Sequence, residues 1–487
     1  MRFLAIFCAA LTLPVLAACG GSEGPGGAAE VVPADVAFYV VGDTDFESDQ
    51  WGTVQELAAK FPGGEDLTGR IVEELEAGGE LDFEEDVEPA LGPVVAFAVL
   101  EVEQDAAGSE PFVFLTQPDD EAAFARLIER EPDPGVVREI EGWQAAAMSE
   151  DVLDRFETAL EGDRLSDSER FQDAMDGLDE DGLLTFYGDL GRADLPTDGA
   201  SPAPFDLFPG GEAPVLGGTV RAEDDGARVD GRLIYAGDAE DSPFAIEPYE
   251  AELPEEVPGD VLAYLSFNDL EQVISAYRDA LAESSPELEG QLGMAEGVFG
   301  LSIEEDIAPL FAGEGAVYLR RGALVPEVTL VSRIEDEAAA LETLDGLVAR
   351  LGIYFPFARP ERTEVDGVEV REIALSAPFT LGYAAFDGLL VITTSTDGIA
   401  DLREDEDRLA DADAFEEALD RADAPDETSG FAYVDLEEAL PLLFGFVEAG
   451  NEDTTEARQY TEPLTNLVLW SEQDGDTQRF SLFLGVE

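Results

Sequence analysis

The sequence predicts an α+β protein of two tandem related domains, each a largely antiparallel sheet with helices packed on one face. Three observations carry this expectation. Short runs of β-branched and aromatic residues alternate with segments of helical periodicity. Acidic, glycine-containing turns join neighbouring strand candidates, which makes those pairs antiparallel. A series of motifs in the first half of the chain recurs in the same order in the second.

The chain opens MRFLAIFCAALTLPVLAACGGSEGPGG. Arg2 precedes an apolar stretch of about fifteen residues, a secretory-signal layout too short to remain as a membrane span. Its end, Leu16-Ala17-Ala18-Cys19, resembles the lipobox of bacterial lipoproteins. That resemblance implies cleavage before Cys19 and acylation there, and two or more acyl chains anchor a protein stably where one is marginal. An ordinary signal peptide with a chance cysteine is the competing reading. Residues 1–18 are thus expected to be a signal peptide, and the Gly/Ser/Pro-rich residues 19–31 a flexible tether.

Beyond the tether, VAFYVV, PVVAFAVLEV, PFVFLTQ and LLTFYGDL are strand-like. DDEAAFARLIER has acids in its first turn and arginine late, as a helix dipole favours. DVLDRFETALEG and SERFQDAMDGL read as helices ending near glycine. The echoes then follow. VPADVAFYVVGD (32–43) answers VPGDVLAYLSFND (257–269), and FEEDVEPALGPVVAFAV (83–99) answers IEEDIAPLFAGEGAVYL (303–319). VVREI (136–140) answers EVREI (369–373), and LLTFYGDL (183–190) answers GFAYVDL (430–436). The last hairpins, 217–237 and 466–486, correspond as well. The boundary falls in a proline- and glutamate-rich stretch near residue 250, giving repeats over 32–250 and 251–487. After VREI the second copy is longer, and the excess is expected to be a β-hairpin turning at Asp387-Gly388.

Composition bounds the chemistry. The 487 residues hold 26 basic and 111 acidic side chains, a net charge of −85, and Lys60 is the only lysine. Such a field repels nucleic acid and anionic headgroups, attracts cations weakly and non-specifically, and favours basic surfaces. With 45% hydrophobic residues in periodic order the chain is expected to fold nonetheless. Of two cysteines, Cys8 leaves with the signal, so no internal disulfide is expected. The absence of histidine removes Ser-His-Asp and Cys-His arrangements and imidazole metal sites. No phosphate-binding loop of either common pattern is present. A paired-carboxylate hydrolase needs only acids and stays open, but nothing singles out a pair. Calcium is the most physical ligand option for the acid-rich runs 403–413 and 450–456, though neither has EF-hand spacing.

Glu84, Glu85, Asp86 and Glu88 pose the same question in a smaller space. A duplicated active site on a diverged background is the less economical account. The residues are expected to start a short helical turn that proline and glycine end, aiming the chain into a strand. Trp51, Phe61, Trp143 and Trp470 lie among apolar residues at helix or strand spacing and are expected in the core.

VPADVAFYV, the helix from Trp51 to FPGG (ending at Gly64) and EEDVEPALG together resemble a secreted bacterial family catalogued as domain of unknown function 3352. In that family an acidic–proline–leucine–glycine step leads into a strand, matched here by Asp86, Pro89, Leu91 and Gly92. The second copy departs from it, with Phe311 for the leucine and Gly313 one residue late. The resemblance implies a cell-envelope protein and adds no mechanism. The expected role is therefore a membrane-anchored extracytoplasmic lipoprotein, not an enzyme and without cofactor, held by acyl chains on Cys19. It would bind or scaffold, with an envelope protein or basic surface as partner; a solute- or cation-binding lipoprotein and a carboxylate-based hydrolase are the alternatives.

A surface with this charge repels itself, and salt screens that repulsion. The melting temperature of the full chain should rise between low and molar sodium chloride; an unchanged value contradicts the self-repulsion argument.

Overall fold

VVAFAVL and FVFLT place apolar residues at consecutive positions, a pattern that only burial on both faces satisfies. The computed structural model describes residues 26–76, 82–100, 112–130, 135–179, 181–192, 213–235, 246–322, 325–354, 359–376, 379–403, 407–450 and 453–487. In the first half the strands are β1 (Val36–Asp43), β2 (Val94–Leu100), β3 (Phe112–Thr116), β4 (Val136–Ile140), β5 (Trp143–Ala147), β6 (Leu184–Asp189), β7 (Val215–Glu223) and β8 (Gly226–Ile234). β9 (Tyr249–Glu250) lies at the boundary and pairs with a later two-residue strand, β17 (Glu427–Thr428). The second half adds β10 (Val261–Phe267), β11 (Gly315–Arg320), β12 (Glu327–Arg333), β13 (Glu361–Val365), β14 (Val368–Ser376), β15 (Phe379–Phe386), β16 (Leu389–Thr393), β18 (Gly430–Asp435), β19 (Leu464–Asp474) and β20 (Thr477–Val486).

Eighteen of these strands form one antiparallel sheet. Its spatial order is β4-β5-β3-β2-β1-β6-β7-β8-β20-β19-β18-β10-β11-β12-β16-β15-β14-β13. Outward from the β8–β20 pair the two halves run in the same order, strand for strand, until β14 and β13 extend the second. The pair itself is long, with register from Gly226–Gly485 to Ile234–Thr477.

A single helical turn at Gly26–Ala29 buries Ala28 and Ala29 in the core with Val31, which corrects the expectation of a flexible tether reaching residue 31. The other helices are α1 (Asp49–Ala58), α2 (Leu67–Glu76), α3 (Glu121–Glu129), α4 (Glu150–Ala159), α5 (Glu169–Met175), α6 (Leu270–Ser284), α7 (Pro286–Phe299), α8 (Glu337–Tyr354), α9 (Asp397–Arg403), α10 (Asp413–Arg421), α11 (Leu436–Ala449) and α12 (Thr455–Thr461). They cover both faces of the sheet, which corrects the expectation of one. Val152, Leu153 and Phe156 of α4 and Phe171 of α5 pack on Tyr39, Ala96, Ala98, Val113 and Leu115. The intervening residues Val95 and Phe114 point the other way, onto Phe124, Leu127 and Ile128 of α3. The second half repeats this, with Phe415 and Ala418 of α10 on one face and Leu344 and Val348 of α8 on the other. Each fully buried phenylalanine stabilises this two-sided core by about 2–3 kcal/mol relative to exposure.

The extra hairpin also differs from expectation. β4 and β5 turn at Glu141-Gly142, and β5 pairs with β3. In the second half the hairpin pairing with β12, the counterpart of β3, is β15–β16, which turns at Asp387-Gly388. Both turns take positive φ at both central residues, as a two-residue hairpin requires. The added strands are therefore β13 and β14, turning at Asp366-Gly367. The spacing from Glu141 to Asp387 agrees within two residues with that from Leu165 to Leu409, so the insertion precedes the Asp387 hairpin. EVREI shares letters with VVREI but not its place. β13 leaves Glu361, Arg362, Thr363 and Glu364 exposed at the sheet's end, and charged edges resist further pairing.

Arg228 secures the β8–β20 pair. Its guanidinium is buried, with Nε donating to Glu223 at 2.6 Å and Nη1 donating to the Ala422 carbonyl at 2.9 Å. It lies 5.2 Å from the ring centre of Phe483 on β20. Ala422 is the C-terminal cap of α10, where a cation meets the negative end of the helix dipole. Replacing Arg228 by methionine keeps most of the volume, removes the guanidinium from Glu223 and leaves the Ala422 carbonyl with the Trp470 indole alone. The expected loss is about 2–3 kcal/mol, read as a lower urea midpoint; an unchanged midpoint removes Arg228 from the energetics of the seam.

Candidate functional site

The acidic step is built identically in both halves. Phe83–Val87 and Ile303–Ile307 form a single wide helical turn, followed by a tight turn over Glu88–Ala90 and Ala308–Phe311. The Asp82 side chain accepts from the Glu85 N–H at 2.9 Å, and the Ser302 hydroxyl from the Glu305 N–H at 3.1 Å. In return Asp86 accepts from the Asp82 N–H at 3.1 Å and Asp306 from the Ser302 N–H at 2.8 Å. This is a reciprocal capping arrangement across four residues instead of the usual three. Each aspartate also meets an arginine of the following helical segment, Arg130 for Asp86 and Arg350 for Asp306. Glu76 and Glu296 accept from the Phe83 and Ile303 N–H groups at 2.9 and 2.8 Å.

The glycine completes the step by letting two backbones touch. A Cβ at Gly92 would stand 2.0 Å from the Gln117 carbonyl oxygen, and one at Gly313 would stand 2.7 Å from that of Arg333. Gly313 thus serves where Gly92 serves, although it falls one residue later in its motif. Here the carboxylates are occupied in holding a corner.

Beside the second copy lies a cavity of about 500 Å³ lined by Glu271, Glu305, Asp306, Arg333, Glu335 and Asp336, among others. Arg333 is turned into an acidic cage of its own, 3.0 Å from Glu314 and 2.8 Å from Glu256. Three other carboxylates have the raised affinity for protons that acid–base chemistry uses. Burial pushes Asp43 up to about 6, and raises Glu314 and Asp435. Asp43 and Asp435 end β1 and β18 and Glu314 precedes β11, and they accept from different backbone groups: Asp45 N–H for Asp43, Leu253 N–H for Glu314 and Glu438 N–H for Asp435. Among the described residues no three acids converge to hold a metal ion. Nor, among them, is any helix long and apolar enough to cross a membrane.

Cys19 lies outside the described residues, as do parts of both acid-rich runs. Trp51 and Trp143 are buried, Phe61 packs against the Trp51 cluster, and the Trp470 indole donates to the Ala422 carbonyl at 2.9 Å. Lys60 lies just past α1 and donates to the Val486 carbonyl at 2.8 Å.

Sequence reasoning missed a different feature. Among the described residues, Leu265, Tyr277, Met294, Val298, Val328, Leu443, Phe446, Tyr460 and Leu469 are exposed in the second half, against Met148 in the first. The signal in the sequence was α11, LEEALPLLFGFVEA, which is apolar on nearly all sides yet too short to be a membrane span.

A family model described as Protein of unknown function (DUF3352) matches residues 147–486, across the boundary near residue 250. The Asp306 step lies inside this stretch and the Asp86 step before it. No curated protein matches the chain. Two solved structures, titled crystal forms IV and I of TP0453, align at 12% and 14% identity, with TM-scores of 0.22 and 0.23. They cover 47% and 49% of this chain, and 76% and 78% of their own. Scores this low define no shared fold.

Asp86 is held below the usual carboxylate range chiefly by Arg130, and Asp306 chiefly by the Ser302 N–H with Arg350 adding. Their contribution to stability is complete above the ordinary aspartate value and is lost as pH falls through the lowered one. Asp86→Asn with Asp306→Asn should lower the urea midpoint at pH 7, the difference from wild type closing as pH falls through the lowered aspartate values. A difference that persists at low pH contradicts the charge-based account of the corner.

Proposed function

The chain belongs to the family described as Protein of unknown function (DUF3352), and from that premise we propose that it is a lipid-anchored extracytoplasmic protein that works by binding. It is held by acyl chains on Cys19, and it carries no catalytic site of its own. The observation that carries the binding role is the set of large apolar side chains exposed on the second half. A soluble surface with a charge of −85 retains such a patch against its solvation cost when the patch meets a partner. The corner aspartates Asp86 and Asp306 are spent on capping and ion pairs, which disfavours them as the pair of the hydrolase alternative. The matching strand order on either side of β8–β20 supports a duplication, with repeats over 32–250 and 251–487 that share one sheet instead of folding as separate units. A second reading, a small cationic solute, is favoured by the acidic lining of the 500 Å³ cavity.

Two measurements test this. Cys19→Ser should move the protein from the membrane fraction to the soluble extracytoplasmic fraction; continued membrane association overturns the anchor. In-cell crosslinking of the anchored protein should recover one stoichiometric protein partner. A clean, partnerless protein moves the assignment to the cationic solute.

A further inference from the structure

Three of the exposed apolar residues, Leu265, Val328 and Leu469, share one sheet face, called the trough below. On the sheet face opposite α9 and α10, one transverse row passes through Leu330, Val317, Leu265, Ala432, Leu469 and Leu482 on six neighbouring strands. Leu265 is 50% exposed and Leu469 41% exposed, although β10 and β19 are interior strands. Val328 is also exposed on this face of β12.

The first half has the corresponding row: Phe114, Phe97, Val40, Phe186 and Gly218. None of these is exposed. Two differences account for that. The Phe186 ring lies against Gly218, whereas in the second half the large and small partners are exchanged, Ala432 beside Leu469. And α1 lies over β7 with Trp51, Val54 and Leu57 buried. Its counterpart α6 leads instead to α7 and the Ala308–Phe311 turn. Arg278 holds it there, 2.7 Å from Glu296 and 3.2 Å from Glu289. α11 packs on β10, β18 and β19 without closing the gap, and leaves Leu443 and Phe446 exposed.

We propose that this trough is the docking site for an amphipathic helix of a partner protein, apolar on one face and basic on the other. The inference rests on the binding role argued above. The first half shows what fits this face of the sheet: a helix carrying apolar residues at Trp51, Val54 and Leu57 spacing, the helix-in-groove mode of recognition. Charge selects the rest. β10 and β18 are antiparallel, so the helices that follow them begin at opposite ends of the trough. Those ends carry Asp269 and Glu271 at one side, and Asp435, Glu437 and Glu438 at the other. A basic polar face meets acids at both ends. A second copy of this chain brings another −85 charges and is repelled, as is an anionic lipid surface.

The test places a photocrosslinking side chain at Leu265, at Leu469 and, as a control, at Met148 in the full-length anchored protein in cells. The expected result is an adduct from the two trough positions and not from Met148. It should map to one partner segment with Lys and Arg opposite an apolar stripe. In parallel, the full-length protein in phosphatidylcholine nanodiscs is titrated with a designed Leu/Lys amphipathic helix. Leu265→Glu and Leu469→Glu should each weaken binding at least tenfold at unchanged melting temperature, with Met148→Glu neutral. Equal binding by all three variants overturns the proposal in favour of surface charge alone. Adducts to lipid only overturn it in favour of a hydrocarbon ligand. A protein adduct from Met148 with none from the trough overturns the docking site while leaving the binding role standing. No adduct from any position overturns both.

Discussion

The backbone ladder between β8 and β20 joins the halves into one sheet, and the sheet's two apolar faces govern everything built on it. An antiparallel pair at this seam lets equivalent strands follow in the same order on both sides. Each strand then presents successive side chains to opposite faces, and apolar residues on both faces need a helical layer on each. Arg228 belongs to this constraint. The seam brings the C-terminal end of α10 over β8, and the buried Arg228 guanidinium and the Trp470 indole both donate to its terminal carbonyl at Ala422.

The acidic step shows how a sequence this rich in carboxylates uses them where they look most chemical. In both halves the chain must turn from a helical segment into a strand beside a neighbouring backbone. The turn leaves N–H groups free, and aspartate accepts from them while pairing with an arginine of the next helix. Glycine follows because a carbonyl passes where a Cβ would be. Two corners with matching bonds and different neighbours indicate a structural solution to the demands of the corner.

The halves diverge where the second accommodates more chain. β13 and β14 lengthen one end of the sheet, and α11 enters over β19 while α6 and α7 pack away from it. These changes leave an apolar floor that the first half closes with its own helix. The face is thus a consequence of rearranged cover over an otherwise matching sheet, which is why its floor residues look ordinary when read singly.

Strands and helices were legible because periods of 2 and 3.6 survive in the letters, and the absence of histidine bounded the chemistry without any coordinates. The echoes between the halves were legible as well, and the strand order on either side of β8–β20 matches them. What only the tertiary structure decided was partnership. EVREI and VVREI are nearly the same word, but strand identity is set by which neighbour a strand bonds, and β12 bonds β16. One helical layer or two depends on which face each residue meets, and that is settled in space. Val40 and Leu265 read alike as apolar strand residues; one is half-buried and one is open because burial depends on what packs above, and the sequence of a strand does not contain that neighbour.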